Sequence, residues 1–127
     1  MSLTEKQVVG NKGEDIAVSF LVQRGFKILD RNYRKKWGEL DIVACVTNII
    51  HFVEVKTVSH GTLADQDYNP EDNVHFLKRK RLSRAIETYL LEKKVSPETP
   101  FQIDVISVYV SQETGKYEID YLEDVEL

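Results

Sequence analysis

The sequence predicts an α/β domain with a mixed central sheet in the order α-β-β-β-α-β-β. Two segments set their apolar side chains on one side of a helix advancing about 100° per residue. Five others are short, apolar and β-prone, and the two kinds alternate along the chain rather than segregating. From about Lys6 to Arg24, Val9, Ile16, Ala17, Phe20 and Leu21, with small Gly13, form the first helical stripe, which Gly25 stops. Phe26–Tyr33 is the first strand, Arg34-Lys35-Lys36 a basic turn, Glu39–Val46 the second strand and Ile49–Val58 the third. Thr47-Asn48 between the last two has the length of a two-residue hairpin turn. Ser59–Asn73, rich in Gly, Asp, Asn and Pro, reads as a loop longer than most connections in a compact domain, and so either functional or mobile. From about His75 to Lys94, Leu82, Ala85, Ile86, Tyr89 and Leu90 give the second helical stripe, ended by Ser96-Pro97-Glu98-Thr99-Pro100. Phe101–Val110 is the fourth strand, Glu113-Thr114-Gly115 a turn, and Lys116–Leu122 a fifth strand at the sheet edge.

A chain of 127 residues fits one domain spanning 1–127. Apolar residues at 42% and charged residues at 30% are a globular composition, and no apolar run approaches the ~20 residues of a membrane span. Met1–Lys6 has no basic region leading into an apolar stretch, so the expected location is cytoplasmic. The single cysteine, Cys45, excludes a disulfide within the chain. The net charge of −4 hides a strong segregation. Between Gln23 and Lys36 six basic residues stand against Asp30, and between Val74 and Lys94 seven stand against Glu87 and Glu92. The acid collects in Gly61–Asp72 and Gln112–Leu127. Two basic segments on an acidic protein mark a localised polyanion site, with a solvated helix face and a charged loop as the plainer alternative.

Strand alternation puts Glu39 and Asp41 on one face, with Leu40, Ile42 and Ala44 on the other, and puts Glu54 and Lys56 together on the next strand. If Thr47-Asn48 closes the hairpin, Val46 pairs with Ile49 and, counting outward, Asp41 faces Glu54 and Glu39 faces Lys56. Like charges opposed across strands are destabilising, and a divalent cation would turn that repulsion into coordination. Oxygen ligands such as Asp41 and Glu54, with the carbonyl of Val55 as a further donor, suit Mg²⁺ or Mn²⁺. Lys56 beside that ion could orient or help deprotonate a water, or stabilise charge developing at phosphorus. A lone Glu-x-Lys is more often an ordinary ion pair. Here its neighbours Ile49, Ile50, Phe52, Val53 and Val55 are apolar on both faces, where an unpaired charge is costly. Glu14, on the margin of the first helix's apolar face, can reach the sheet, or can simply be solvated near a helix start, while Asp15 projects outward. Lys78 lies in line with the second helix's stripe and points inward, whereas Lys80 points away; snorkelling is the plainer account of Lys78. Lys78, Arg79, Arg81 and Arg84, with Arg34, Lys35 and Lys36, would line one nucleic-acid path. Histidines 51, 60 and 75 lack metal-ligand spacing, and there is no Walker-type loop or nucleophile elbow.

Gly13-Glu14-x-x-Ala17, Gly38-Glu39-Leu40-Asp41-Ile42-Val43-Ala44, Phe52-Val53-Glu54-Val55-Lys56-Thr57 and Lys78-x-x-x-Leu82, in this order, resemble the bacterial YraN-type family. The resemblance runs from Gly13 to the Phe101–Val108 strand. It implies a restriction-endonuclease-like fold, similar to archaeal Holliday junction resolvases and to the D…ExK nucleases. It further implies a nuclease-like site with Asp41, Glu54 and Lys56 as its core and Glu14 as the helical acid. A nucleic-acid substrate, DNA before RNA and branched DNA among the candidates, and a homodimer matching a two-fold junction follow from the same similarity. Val58 stands where a basic residue commonly follows the Glu-Val-Lys-Thr motif, and the loop after it is unusually long and acidic. Two other classes of function stay open beside the metal-dependent endonuclease: a non-cutting module that binds structured nucleic acid, and a protein-interaction subunit using the acidic C-terminal strand.

Overall fold

The computed structural model describes residues 5–59, 76–111 and 113–126. Among the described residues, two helices and five strands follow one another as α1 (Glu5–Gln23), β1 (Lys27–Lys35), β2 (Gly38–Val46), β3 (Ile49–Ser59), α2 (Phe76–Glu92), β4 (Phe101–Val110) and β5 (Tyr117–Leu122). This is the expected order. The expected loop from residue 60 onward, with His60 and His75, lies outside the described residues. The strands form one open mixed sheet in the spatial order β1-β2-β3-β4-β5. Only β3 and β4 run parallel, paired from Ile50↔Phe101 to Ser59↔Val110, as strands joined through a helix can be.

Both faces of the sheet are covered, which is why β3 is apolar on both sides. Ala17 and Leu21 of α1 pack with Phe26 and with Ile42, Ala44, Val53, Ile106, Val108 and Val110 of the sheet. Leu82, Ala85, Ile86 and Tyr89 of α2 pack with Leu40, Val43, Ile50, Phe52 and Ile103 on the other side. No described helix is long and apolar enough to cross a membrane. Gly13 lets α1 approach β3 closely: a Cβ there would collide with the hydroxyl of Thr57, so the two motifs that carry them meet in space. Gly38 does the same on the other face, where an added Cβ would lie 2.6 Å from the carbonyl oxygen of Arg81 on α2.

The turns correct the sequence reading at two points and bear it out at a third. Arg34 and Lys35 end β1, and the turn itself is Lys36-Trp37 rather than Arg34-Lys35-Lys36. α2 stops at Glu92, ahead of the Ser96–Pro100 segment, because Lys94 takes a left-handed conformation (φ 54°) and the Val95 N–H donates to the Leu90 carbonyl, 3.0 Å. The β2–β3 hairpin turn is as expected, with Val46 paired to Ile49 and both Thr47 (φ 48°) and Asn48 (φ 61°) left-handed. A β-branched threonine is strained in that region. Replacing Thr47-Asn48 by Asn-Gly is expected to stabilise the fold by about 1 kcal/mol, a rise in Tm of roughly 4 °C in thermal melts.

Candidate functional site

The β2–β3 ladder holds the expected register from Val46↔Ile49 to Ile42↔Val53 and ends there. Asp41 and Glu54 are therefore not a laddered pair. Where β2 leaves β3, the Val55 N–H has lost its strand partner, and a buried donor must find another acceptor. The Asp41 carboxylate supplies it, with Oδ2 accepting from Val55 N at 2.8 Å. The strand's alternation changes phase at this residue. Ile42 and Ala44 pack beneath α1, while Leu40 joins Val43 beneath α2, so the expected common face of Leu40, Ile42 and Ala44 is not formed. Nor does Glu39 take Lys56 as its partner: without a ladder beyond Ile42, it turns to its β1 neighbour Arg34, 3.3 Å from Nε to Oε2.

Glu54 lies on β3 between Val53 and Val55, only 7% exposed. Lys78 of α2 points inward as expected and meets it, Nζ to Oε1, 2.9 Å. The other oxygen, Oε2, is buried without a hydrogen-bond partner among the described residues. Burial and the charge of Glu54 push Asp41 up to about 7. Lys56 is brought down to about 8 by burial and by Lys78 alongside it, against the pull of Glu54 and Asp41. Lys78 is itself opposed by burial, but Glu54, Lys56 and Asp41 together outweigh this and hold its ammonium above the ordinary lysine range. Glu14 reaches this neighbourhood from α1: its charge adds to the upward push on Asp41, and burial raises its own carboxyl against the pull of Arg31, 3.8 Å away. Arg31 is held chiefly by exposed Asp15, at 2.9 Å. Asp41, Glu54, Lys56 and Lys78 thus form one charged knot, with Glu14 and Glu39 at its margin.

A cleft of about 660 Å³ reaches this knot at Glu54 and Lys78, with Arg81, Arg34, Lys36 and Trp37 also in its walls, while Asp41 and Lys56 do not line it. The two basic segments read from the sequence therefore converge on one place. Lys35 also borders the cleft but gives its ammonium to Glu92 of α2, 2.9 Å away. Arg84 stacks its guanidinium over the Trp37 ring, 4.9 Å from the centroid, and lines a second, smaller cleft of about 230 Å³ with Lys80, Arg81 and Trp37. Arg79 is exposed on the same helix and lines neither cleft. Trp37 was not legible as a site residue from pattern alone. Its signal is an aromatic placed directly after Arg34-Lys35-Lys36, the interleaving of base and ring that nucleic-acid surfaces use.

Among the described residues, no three His, Cys, Asp or Glu side chains gather into a ready-made metal cage. The donors present still fit a Mg²⁺-type ion, which is commonly held by one or two carboxylates, with waters and substrate phosphates completing the shell. The buried, unpartnered Oε2 of Glu54 is the atom that asks for such a ligand.

The profile of Uncharacterised protein family UPF0102 matches residues 13–108, from the α1 glycine to the end of the apolar run in β4. A UPF0102 protein of Alkaliphilus oremlandii is 36% identical over 116 residues, covering 91% of this chain and 94% of its own. One of Clostridium perfringens is 35% identical over 116 residues and covers 91% of both chains. One of Syntrophotalea carbinolica is 43% identical over 103 residues, 79% of this chain and 77% of its own. With a profile that takes in both glycine contacts, both carboxylates and both lysines of the knot, the chain belongs to Uncharacterised protein family UPF0102.

Proposed function

We propose that this chain is a metal-dependent nuclease of restriction-endonuclease-like fold, hydrolysing phosphodiester bonds of DNA before RNA. The observation that carries the reading is the buried oxygen of Glu54 that no described residue hydrogen-bonds, on a side chain paired with Lys78 at the wall of a basic cleft and coupled by charge to Asp41 and Lys56. Asp41 and Glu54 would hold Mg²⁺ or Mn²⁺, with the Val55 carbonyl as a further oxygen donor and Glu14 close by. When bound, the ion supplies positive charge against the phosphate and lowers the cost of forming a hydroxide nucleophile.

The protein's own groups do the rest. Asp41 keeps its position because its Oδ2 is tied to the Val55 N–H, which fixes the carboxylate without a ladder partner. Lys56, on the same face as Glu54 and half-buried, is placed to donate to a phosphoryl oxygen as negative charge grows there. Lys78 balances one oxygen of Glu54 and leaves the second for the ion. Arg34, Lys36 and Arg81 along the cleft would neutralise flanking phosphates, a sequence-independent contact whose strength falls with salt.

Incubation with Mg²⁺ or Mn²⁺ and single-stranded, duplex, flap and four-way-junction DNA and structured RNA tests this. Cleavage of at least one substrate is expected, lost on adding EDTA and lost in Glu54→Gln. No cleavage of any substrate, with tight and salt-dependent binding intact, would overturn the nuclease in favour of a non-cutting binding module.

A further inference from the structure

Trp37 stands where the two basic clefts adjoin and forms part of the wall of each. Its ring is not a loose surface group. The indole N–H donates to the Thr88 hydroxyl at 3.3 Å, Thr88 is itself tied to the Arg84 carbonyl at 2.8 Å, and the Arg84 guanidinium lies over the ring. Close approach of Gly38 to the Arg81 carbonyl fixes the turn that carries Trp37 against α2. The half-buried indole is therefore a rigid plane with a cation on one face, bordered by Lys78 and Arg34 in the larger cleft and by Lys80 in the smaller.

A polyanionic backbone attracted to both clefts has to pass this plane. An aromatic with a stacked guanidinium matches the face of a nucleobase, and stacking of that kind tolerates any base. Inside an intact duplex both faces of every base are already covered by their neighbours. We propose that Trp37, with Arg84, is a stacking site for one unpaired base beside the Glu54 cleft, so that the chain selects single-stranded or branched nucleic acid over continuous duplex. This rests on the nuclease reading of the site and names the substrate class for it.

Trp37 is the only tryptophan in the sequence, so the protein's indole fluorescence reports this position alone. The full chain is titrated in EDTA, which prevents cleavage, with a single-stranded oligonucleotide, a blunt duplex of the same length and inorganic polyphosphate. Binding is followed separately by the anisotropy of a dye on each oligonucleotide. Quenching and a spectral shift of Trp37 are expected with the single strand, and neither with duplex or polyphosphate. Trp37→Ala should weaken single-strand binding by about tenfold, in line with the loss of one base–aromatic stack, while Trp37→Phe keeps most of it. Equal quenching by duplex or polyphosphate, or binding of the single strand with no change in wild-type fluorescence, would overturn the stacking site and leave the nuclease reading standing. Failure of every oligonucleotide to bind would overturn the stacking site, and cleavage in Mg²⁺ or Mn²⁺ decides the nuclease reading separately. The wild-type fluorescence decides the matter even where Trp37→Ala folds poorly.

Discussion

Asp104→Ala is expected to remove about 3–5 kcal/mol of stability, a large share of the 5–15 kcal/mol of a typical domain. Asp104 is wholly buried on β4 and accepts four hydrogen bonds. Oδ2 takes His51 Nδ1 at 2.6 Å and the Tyr121 hydroxyl at 2.6 Å; Oδ1 takes Gln102 Nε2 at 2.9 Å and the Asp124 backbone N–H at 3.0 Å. An ionised carboxylate only accepts, so Nδ1 of His51 carries the hydrogen. One side chain thereby joins β3, β4, β5 and the segment after β5, and alanine would strand its donors in the interior. Burial acts to raise the Asp104 carboxyl, but these donors outweigh it and hold it below its ordinary 3.8. A depressed folded value stabilises the fold above the unfolded one, and that stability is lost as pH falls from 3.8 through the folded value. Urea unfolding at neutral pH measures the alanine loss, and melts below pH 4 should be less steep in pH for Asp104→Asn than for the wild type. A loss under about 1 kcal/mol for Asp104→Ala would mean that water replaces the carboxylate.

The reach and the limits of the sequence can be seen in particular residues. Periodicity placed both helices and all five strands in order because each has its own apolar pattern and its own stop. The β2–β3 register was legible because a two-residue turn leaves only one pairing. The same counting failed beyond Ile42↔Val53, since alternation assumes that the ladder continues. Asp41 breaks it by spending its side chain on the Val55 N–H, which sends Leu40 to the α2 side and leaves Glu39 to Arg34. Lys78 and Glu54 were both legible as inward charges, although their contact depends on how α2 crosses the sheet. The His51–Asp104 bond spans 53 residues and depends on the parallel β3–β4 pairing, which no local pattern specifies. Trp37 was hidden for a related reason: a single ring at a turn has no period, and its meaning comes from Arg84 and Thr88, which belong to another element.

Lys56→Ala is expected to lower cleavage by about a hundredfold or more, on the order of the ~3 kcal/mol lost with one preorganised electrostatic group. The fold should hardly notice. Lys56 is half-buried, and burial together with neighbouring Lys78 already works against its charge, so its ammonium contributes little net stability where it stands. Lys78 keeps Glu54 paired in the variant, and Asp41 keeps the Val55 N–H, so both oxygen donors stay in position. The sequence suggested Glu39 as a structural partner for Lys56, but Glu39 is joined to Arg34 and is not orphaned by the substitution. A rival role remains within the knot, where Lys56 could serve only to offset the charges of Asp41 and Glu54. Under that role Lys56→Ala would leave two adjacent carboxylates with Lys78 alone, the melting temperature would fall by several degrees, and added Mg²⁺ would restore it while cleavage stayed near wild type. Melting temperature and cleavage rate measured on the same preparation, with and without Mg²⁺, separate the two. An unchanged melt with cleavage lost assigns Lys56 to the reacting phosphate, because a lysine needed only for folding would show itself in the melt first.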